Sequence, residues 1–393
     1  MDYDAIVVGL GALGSAAAYH LARRGQRVLG LDAFARGHTR GSSHGESRII
    51  RLAYFEHPDY VALLRRAYTL WERLQDESGV ALLRLTGGLY LGPPDGAIVA
   101  GSLRSARLHG LAHEVLDAPQ VRQRWPVLRP ADDAVGLYEP QAGVLFPERC
   151  IEAHLDLAAG HGAELRHETP VRRWAATSGG VVVETAAGRH AAPRLVLTAG
   201  AWLGKLLSDL HLPLEPERTT VFWLQPRQEP ERFDAERFPI YIWDTGAAGI
   251  FYGVPHLSWP GVKVGRHHSG RRCDPDTVDR VVTADDERPV REFVARAIPA
   301  LDGPMLKGLV CLYTNTPDGH FIVDRHPDLQ SVVFAGGCSG HAFKFASALG
   351  EALAEYAVTG RLPAPVSFLQ AARFTSPPAS PASAAEAPAA GHD

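Results

Sequence analysis

The sequence predicts an α/β fold in which a parallel sheet forms a dinucleotide crevice and a second, sheet-based region interrupts it. One observation is a glycine-rich turn between an apolar strand and a helix, over residues 6–32. Another is a return strand at 195–198 that runs into Gly200. A third is the late strand 332–335, followed by a helix over about 345–358. With 393 residues and 46% hydrophobic content, the chain can bury a large core, which we expect to be divided between two domains.

The N-terminal turn has the features of a dinucleotide site. Gly9, Gly11 and Gly14 form a G-x-G-x-x-G pattern directly after the apolar run 6–8. We expect Gly9 to allow the sharp turn, Gly11 to let the backbone approach a pyrophosphate, and Gly14 to let the helix pack on the strand. Asp32 ends the next predicted strand, where a carboxylate accepts both ribose hydroxyls and repels a 2′-phosphate. A chance glycine triplet is disfavoured because strand, helix, spacing and acid agree, but the pattern leaves NAD and FAD open.

Composition and charge argue against several other classes of protein. The net charge of −4 and the sequence pI of about 6.5 give no basis for a nucleic-acid or anionic-membrane partner. The four cysteines (Cys150, Cys273, Cys311 and Cys338) show no C-x-x-C or zinc-like spacing, so we expect no metal site. The N-terminus has the pattern of a strand and not of a signal peptide, which favours a cytoplasmic protein.

The rest of the chain is typical of a nucleotide-binding fold interleaved with a second domain. A loop rich in Gly, Ser and His at 37–48 precedes a predicted helix over about 58–75. Residues 221–264 are strand-like and aromatic, which indicates a sheet-based substrate domain. From about residue 375 the chain is rich in Pro, Ala and Ser and has little to bury. The predicted divisions are a nucleotide-binding domain of 1–57, 140–213 and 305–372, a substrate domain of 58–139 and 214–304, and a disordered tail of 373–393.

Five ordered sequence blocks carry a resemblance to a known family. They are D-A-F…G-S-S-H-G-E-S-R-I-I-R at 32–51, Y-G-V-P…V-K-V-G-R-H at 252–267, D-P-D-T at 274–277, C-L-Y-T-N-T-P-D…F-I-V-D at 311–324, and S-G-H-A-F-K-F at 339–345. Together they resemble the monomeric sarcosine oxidase and N-methyltryptophan oxidase group of the D-amino-acid-oxidase-like flavoproteins. The resemblance extends over about residues 3–368, which is nearly everything but the tail.

The resemblance implies a Rossmann-like FAD-binding domain and an FAD-dependent oxidase of N-methyl or cyclic secondary α-amino acids. The expected products are an imine and hydrogen peroxide, with formaldehyde and an amino acid following from N-methyl substrates. The expected partners are therefore a small secondary amino acid and molecular oxygen, and we expect a monomer. The substrate side chain stays open, since sarcosine, N-methyltryptophan and pipecolate all fit.

Three alternatives to this function stay open. The nearest is a flavin-dependent amino-acid dehydrogenase that passes electrons to a carrier. A non-catalytic nucleotide-binding protein and an NAD dehydrogenase also share the N-terminal fingerprint.

The resemblance also implies how the flavin is held. Cys311 matches the cysteine that forms a thioether to the 8α carbon of the flavin, whereas the other three cysteines are expected to be inert. Further cofactor contacts are implied at Ser42, Ser43, Arg48, Val171, Gly200, Gly340, His341, Phe343 and Lys344.

Charged side chains receive distinct expected roles. The resemblance places Arg48 against the flavin face, and Arg51 and Lys344 on the substrate carboxylate. Arginine suits a carboxylate because its planar fork binds both oxygens. The spacing of Arg48 and Arg51 predicts that both lie on one side of a helical turn. Lys263 is expected over the flavin, where its charge would stabilise the anion formed as oxygen is reduced.

Polar and aromatic side chains complete the expected site. His44 and Ser47 match positions of a water network beside the lysine, although Ser47 stands where the family more often has Thr. The resemblance assigns Tyr252, His267 and Tyr313 to the substrate amine and its surroundings. Three departures from the family pattern are expected to bear on the substrate side chain: Trp243, Arg266 and Ala342.

Overall fold

The computed structural model describes residues 2–257 and 259–374 of the chain. In chain order, the strands of these residues are β1 (Ala5–Val8), β2 (Val28–Leu31), β3 (Arg48–Ile50), β4 (Leu83–Leu85), β5 (Gly88–Gly92), β6 (Glu114–Asp117), β7 (Val135–Glu139), β8 (Gly143–Leu145), β9 (Glu164–Arg166), β10 (Arg173–Thr177), β11 (Gly180–Thr185), β12 (Gly188–Ala192), β13 (Leu195–Leu197), β14 (Glu215–Leu224), β15 (Ile240–Asp244), β16 (Ile250–Val254), β17 (Val262–His267), β18 (Arg271–Arg272), β19 (Met305–Asn315), β20 (Ile322–Arg325) and β21 (Val332–Gly336). The α-helices are α1 (Ala12–Arg23), α2 (Tyr60–Ser78), α3 (Ala97–His109), α4 (Ala118–Arg124), α5 (Pro147–Gly160), α6 (Leu203–Leu206), α7 (Ala284–Ala297) and α8 (Ala346–Thr359).

The parallel sheet predicted from the N-terminal strand is present. Its strand order is β20-β21-β13-β1-β2-β9, and neighbouring strands are parallel except for β20 and β21. In the central register, Val7 pairs with Val196 on one side and with Gly30 on the other. β1, β2, β13 and β21 are buried along their whole length, as expected for strands that are covered on both faces. The prediction of an α/β fold is therefore confirmed.

Different elements cover the two faces of this sheet. On one face, α1 packs against α5 and α8, and α8 also contacts α2. On the other face lies the antiparallel sheet β10-β11-β12, whose Val181 and Val183 pack with Ile6 and Leu29 in one apolar cluster. This antiparallel sheet therefore shields the nucleotide-binding sheet and does not extend it.

The second large sheet contains the strand-like region 221–264 that was expected to be sheet-based. Its strand order is β18-β14-β17-β16-β15-β5-β7-β6, and β19 pairs with β14 along nearly all of its length. Side chains alternate between its faces, as strand geometry requires. Phe251 and Val264 belong to the face that packs on α7, where the ring of Phe293 stacks on Phe251 with centroids 4.3 Å apart. The neighbouring positions Lys263 and Tyr252 belong to the opposite face, which looks into the interior of the molecule.

Some element limits differ from the predictions. The helix predicted over about 58–75 is α2, which runs further along the chain, to Ser78. β19 falls inside a predicted nucleotide-binding range but lies in the second sheet, because it is hydrogen-bonded to β14. Arg373, predicted to be in the tail, donates from Nε to Asp318 at 2.7 Å. Residues 375–393, the rest of the predicted tail, lie outside the described residues, and the domain division as a whole stays a prediction.

The described helices were also compared with the requirements of a membrane span. Within residues 2–257 and 259–374, no helix combines the length and apolar character needed to cross a bilayer.

The contact between α1 and α8 leads to a stability prediction. A Cβ atom on Gly350 of α8 would lie 2.4 Å from the Cβ of Ala16 and 2.7 Å from its carbonyl carbon. We expect Gly350→Ala to force the helices apart and to lower the free energy of unfolding by about 1–3 kcal/mol. Thermal and urea unfolding followed by circular dichroism measure the change.

Gly160→Ala is the matched control. Gly160 is also helical, but a Cβ there has no heavy atom within 4 Å. Alanine at this position should leave stability unchanged or raise it by up to about 1 kcal/mol. Equal behaviour of the two variants would show that α1 and α8 have room to adjust.

Candidate functional site

A crevice opens beyond the carboxyl ends of the parallel strands, where α/β sheets bind ligands. We call it the nucleotide crevice. It is lined by Gly9, Gly11, Asp32, Val171 and Gly200, all of them predicted cofactor contacts. The structure thus brings together residues that are spread over almost 200 positions of the sequence.

The glycine turn leaves no room for larger residues. Gly9 has φ +89°, and a Cβ there would lie 2.7 Å from the carbonyl oxygen of Thr198. A Cβ on Gly14 would lie 1.7 Å from the carbonyl oxygen of Gly9, so the helix packs directly on the turn. Gly11 is the N-cap of α1. Because glycine has no side chain, the space where a phosphate would approach stays clear. The first turn of the helix has no acidic residue, which leaves its positive end open to an anion.

Asp32 is fixed by backbone amides at the end of β2. Its Oδ2 accepts from Leu10 N–H at 2.7 Å, and its Oδ1 accepts from Phe34 N–H at 2.9 Å. The His38 imidazole lies 3.6 Å from Oδ1. Each carboxylate oxygen accepts more than one hydrogen bond. Asp32 is therefore held in place while retaining acceptor capacity for a pair of hydroxyl groups in the crevice.

A second cavity, which we call the catalytic cavity, continues from the crevice. Ala12, Ser42, Ser43, His44 and Cys338 line both spaces. Its walls come from the loop after β2, the inner face of the second sheet and the segment before α8. The predicted residues that line it are Ser42, Ser43, His44, Ser47, Arg48, Arg51, Tyr252, Lys263, His267, Cys311, Tyr313, Gly340, His341, Phe343 and Lys344.

Lys263 is buried on the inner face of the sheet. Its side chain is 1% exposed, and Nζ donates to the carbonyl oxygens of Gly45 at 2.7 Å and Ser47 at 3.0 Å. Burial and the nearby Arg48 hold the pKa of Lys263 below its usual range. An ammonium has three donors, so one N–H remains for a ligand in the cavity.

Two polar atoms beside Lys263 lack partners among the described residues. His44 Nε2 lies 3.1 Å from the carbonyl oxygen of Val310 and must donate to it, which makes Nδ1 an acceptor. Among the described residues, the Nδ1 atom of His44 and the Ser47 hydroxyl have no hydrogen-bond partner, although both are buried. Buried polar atoms are rarely left unpaired. A ligand or ordered water in the catalytic cavity would satisfy both.

Arg48 is held by backbone carbonyls of the same loop. It donates to Ser42 O at 2.7 Å, His44 O at 2.5 Å and Ser47 O at 2.7 Å. Its Nη2 also lies 3.9 Å from the Cys311 sulfur. The prediction that Arg48 and Arg51 share a helical turn is wrong. Arg48 begins β3, an extended strand paired with β8, and the two side chains reach the cavity because the chain bends after β3.

Arg51 is fully buried and paired with Glu56. Nη2 donates to both carboxylate oxygens at 2.6 and 2.8 Å, and Nη1 donates to Ala53 O at 3.0 Å. Burial alone would raise the pKa of Glu56, but Arg51, His341 and Lys344 hold it at about 2. The buried Arg51 Nε has no partner among the described residues. Arg51 therefore has a donor free for a further acceptor.

Lys344 lies next to this ion pair. Its Nζ donates to His341 O at 2.6 Å and approaches the Tyr54 hydroxyl at 3.4 Å. Burial and, secondly, the Arg51 charge lower the pKa of Lys344 to about 7. His341 Nε2 donates to Gly319 O at 2.8 Å, so its Nδ1 accepts from Tyr54 at 2.5 Å. Burial lowers the pKa of His341 to about 4, which keeps this imidazole neutral.

The predicted amine-binding residues form one group on the sheet. Tyr313 OH and His267 Nδ1 are 3.3 Å apart. Burial lowers the pKa of His267 to about 3, and the neighbouring His268 adds to the shift. Burial raises the pKa of Tyr252 to about 12. All three side chains are therefore uncharged near neutral pH.

Two of the three predicted departures lie away from the cavity. Trp243 alternates with Ile242 on β15, so it points to the α7 face, where its ring lies 5.6 Å from that of Phe293. Arg266 alternates with His267 on β17 and also points to that face. Because of this alternation Trp243 and Arg266 lie away from the cavity, which contradicts the expectation that they bear on the substrate side chain. Ala342 does line the cavity.

Several residues with a part in the site were not predicted. Gly265 makes room for a tyrosine, since a Cβ there would lie 2.6 Å from the Tyr252 ring. Glu139 accepts from the backbone N–H groups of Leu52 at 2.7 Å and Ala53 at 3.1 Å, which fixes the chain after Arg51. Glu56 and Glu148 also lie beside the site. Neither belongs to the five sequence blocks, although Glu56 follows closely after the first of them. For Gly265, the sequence signal was a glycine on the same strand face as Lys263 and His267, two positions from each. For Glu56, Glu139 and Glu148, the sequence carried no signal.

The chain is similar to known proteins over nearly its whole length. Residues 4–356 match the family of FAD-dependent oxidoreductases. The chain is 46% identical over 380 residues to a monomeric sarcosine oxidase of Streptomyces avermitilis, covering 96% of this chain and 99% of that protein. It is 35% identical over 376 residues to an N-methyl-L-tryptophan oxidase of Yersinia pestis, covering 95% and 100%. The solved structure of NikD, an amino acid oxidase essential for nikkomycin biosynthesis, superimposes with a TM-score of 0.84 at 25% identity, covering 94% and 97%.

The fold is that of an FAD-dependent oxidoreductase. The chain belongs to the FAD-dependent oxidoreductase family, and its relatives among sarcosine and N-methyltryptophan oxidases make it an FAD-dependent amine oxidoreductase.

The residues present fit an FAD in two ways. The crevice has the N-terminus of α1, with no acidic residue in its first turn, for a pyrophosphate and the Asp32 carboxylate for a ribose. The catalytic cavity has the unpartnered His44 Nδ1 and Ser47 hydroxyl described above. The crevice would hold the nucleotide part of FAD, and the cavity would hold the flavin ring.

Proposed function

We propose that this chain is an oxidase of N-methyl or cyclic secondary α-amino acids, of the sarcosine type, with oxygen as the electron acceptor. Its products would be an imine and hydrogen peroxide, and hydrolysis of an N-methyl imine would give formaldehyde and an amino acid. The observation that carries the proposal is the meeting of two buried cations, Arg51 and Lys344, beside a group of uncharged Tyr and His side chains. The identity to monomeric sarcosine oxidases over nearly the whole chain supports it.

The cations would bind the substrate carboxylate. Arg51 Nε is buried without a partner among the described residues, and Lys344 donates mainly to a neutral carbonyl. Glu56 offsets only one of the two positive charges, so the pair keeps a net attraction for a second carboxylate.

Tyr252, His267 and Tyr313 would orient the substrate nitrogen. A neutral amine is required because a protonated nitrogen has no lone pair to release electrons from. An uncharged imidazole and uncharged hydroxyls bind such an amine by hydrogen bonds and do not repel it. FAD, when bound, supplies the redox chemistry by accepting a hydride from the substrate and passing two electrons to oxygen.

Cys311 would attach the flavin through its sulfur. The side chain is buried in the catalytic cavity, and the Arg48 guanidinium places a positive charge 3.9 Å from Sγ. Cys338 also lines the cavity, but burial raises the pKa of its thiol to about 12, which disfavours the reactive thiolate.

A monomeric state and a cytoplasmic location belong to the same proposal. The monomeric state is supported by the similarity to sarcosine oxidases that are described as monomeric.

The function is tested with a panel of amines. Purified holoenzyme is assayed for peroxide release with sarcosine, N-methyltryptophan, pipecolate, proline and primary amino acids. At least one secondary amino acid should release peroxide faster than its primary counterpart. Reduction of the flavin by an amine with no peroxide in air would instead favour the carrier-linked dehydrogenase.

The flavin linkage gives a prediction about acid stability. If Cys311 carries the flavin, yellow colour should stay with the precipitated protein after acid treatment, and the intact mass should exceed that of the chain by one FAD. Cys311→Ala should release its flavin into the supernatant, whereas the matched Cys338→Ala should not. Release of all flavin from the unaltered protein would refute the linkage.

The carboxylate site gives a prediction about pH. Lys344 has a pKa of about 7, so its ammonium is present at lower pH and is lost as the pH rises. The affinity for a simple carboxylate such as acetate should therefore fall between about pH 6 and 9, when it is followed by the flavin absorbance.

Lys344→Met tests the residue behind this pH dependence. Loss of a charge-assisted contact of about 1.5–3 kcal/mol should weaken carboxylate binding by about one to two orders of magnitude at pH 6 and flatten its pH profile. Lys307→Met is the control, because Lys307 is exposed and paired with Glu46 outside the cavity. A profile that is unchanged in Lys344→Met would place the carboxylate elsewhere.

Lys263→Met should separate the two halves of the reaction. Loss of a buried charge beside an emerging anion should slow reoxidation of the flavin by oxygen about 10²- to 10³-fold. Anaerobic reduction by the amine should change much less. Stopped-flow absorbance measures both steps, and equal slowing would make Lys263 a structural support of the cavity.

A further inference from the structure

The backbone of residues 45–47 is folded so that its amides and its carbonyls face different partners. Gly45 has φ +106° and Glu46 has φ +66°, and Ser47 N–H donates to Gly45 O at 2.7 Å. A non-glycine residue in the left-handed region is uncommon, and it needs surrounding contacts to persist. The conformation of this turn is therefore held by its neighbours.

The amides of the turn bind one carboxylate oxygen. Gly45 N–H donates to Glu148 Oε1 at 2.7 Å, and Glu46 N–H donates to the same atom at 3.0 Å. Successive backbone N–H groups that converge in this way form a concave anion site. Glu148 lies in the first turn of α5, just after Pro147, and that helix packs on α1. The anion is thus anchored to the rigid part of the nucleotide-binding domain.

The carbonyls of the same turn bind the buried lysine. Gly45 O and Ser47 O accept from Lys263 Nζ at 2.7 and 3.0 Å. A peptide unit is planar, so the direction of an amide fixes the direction of the carbonyl that precedes it. The amide of Glu46 and the carbonyl of Gly45 belong to one such unit. Glu148 on one side therefore determines where Gly45 O points on the other.

We propose that Glu148 is a positioning residue for oxygen reduction: its carboxylate locks the 45–47 turn so that Gly45 O and Ser47 O hold the Lys263 ammonium in place. The proposal rests on the proposed function in assigning the oxygen step to Lys263. The charge of Glu148 has a second effect, because it opposes the lowering of the Lys263 pKa by burial. Glu148 itself would touch neither substrate nor oxygen.

The experiment compares Glu148→Ala and Glu148→Gln as flavin-containing proteins. Flavin is reduced with dithionite without any amine, and its reoxidation is followed after mixing with oxygenated buffer. Glu148→Ala should reoxidise about tenfold more slowly, the effect of losing one charge-assisted hydrogen bond. Glu148→Gln keeps an acceptor oxygen and should stay within about threefold of the unaltered protein. Asp156→Ala, which removes an exposed carboxylate from the same helix, should have no effect.

Hydrogen–deuterium exchange provides a readout that does not depend on turnover. Peptides covering residues 42–50 should exchange faster in Glu148→Ala but not in Glu148→Gln or Asp156→Ala. Unchanged exchange in Glu148→Ala would overturn the proposal, since the turn would then be held without the carboxylate.

A double variant tests whether Glu148 acts through Lys263. If it does, Glu148→Ala should slow reoxidation no further when Lys263 is already methionine. Independent slowing in the double variant, or equal slowing of amine reduction in Glu148→Ala, would overturn the proposal. The reoxidation assay uses no substrate, so a wrong substrate class would leave it intact. A Lys263→Met protein with normal reoxidation would refute the role of Lys263 in the proposed function, while hydrogen exchange would still report on the turn.

Discussion

Alternation of side chains along the nine strands of the second sheet is the constraint on which the candidate active site depends. Successive residues of a strand point to opposite faces, so Lys263 and His267 enter the cavity while Arg266 is turned toward α7. The register between strands then sets neighbours across the face, such as Thr219 beside Cys311. A slip of one residue in β17 would exchange the cavity set for the α7 set. The apolar packing of Phe251 on Phe293 opposes such a slip, so the core on the far side keeps the chemistry on the near side.

The candidate active site must also hold several positive charges in a buried space. Arg48 and Lys263 are bound mainly by backbone carbonyls, which orient a cation without cancelling its charge. Arg51 is paired with the carboxylate of Glu56, and the charge of Lys344 also acts on that carboxylate. The cavity therefore keeps a positive potential, which favours a substrate carboxylate and the negative charge of a reduced flavin. Burial works against these charges, and the lowered pKa values of Lys263 and Lys344 reflect that opposition.

The parts of the molecule that follow from local rules could be predicted from the sequence. The turn at Gly9 and the capping of α8 by Gly360 depend on backbone conformations that few residues adopt. The parallel sheet followed from apolar runs that end at the ligand crevice. The face of a strand residue is also a local property, but the apolar alternation of Val262 and Val264 stops at Gly265, so the face of Arg266 is not marked by an apolar neighbour pattern. Contacts such as that between Arg51 and Glu56 depend on how the chain bends after β3, for which the sequence carries no clear signal.

The supports of the cavity come from different parts of the fold on its two sides. One side of the cavity holds Arg51 and Lys344, and we call it the carboxylate side after its proposed role. It is supported by Glu139, which ties the chain after Arg51 to β7, and by the segment before α8. The other side holds Lys263, and we call it the oxygen side after its proposed role. It is supported by the 45–47 turn, which Glu148 ties to α5. Arg48 belongs to the oxygen side, since it binds Ser47 O, and it also approaches the Cys311 sulfur. Because the supports are separate, we expect substitutions on one side of the cavity to act mainly on that side. Replacement of Arg48 would affect two features together, because its position is fixed by the oxygen-side turn while its charge acts beside the sulfur of the proposed flavin attachment.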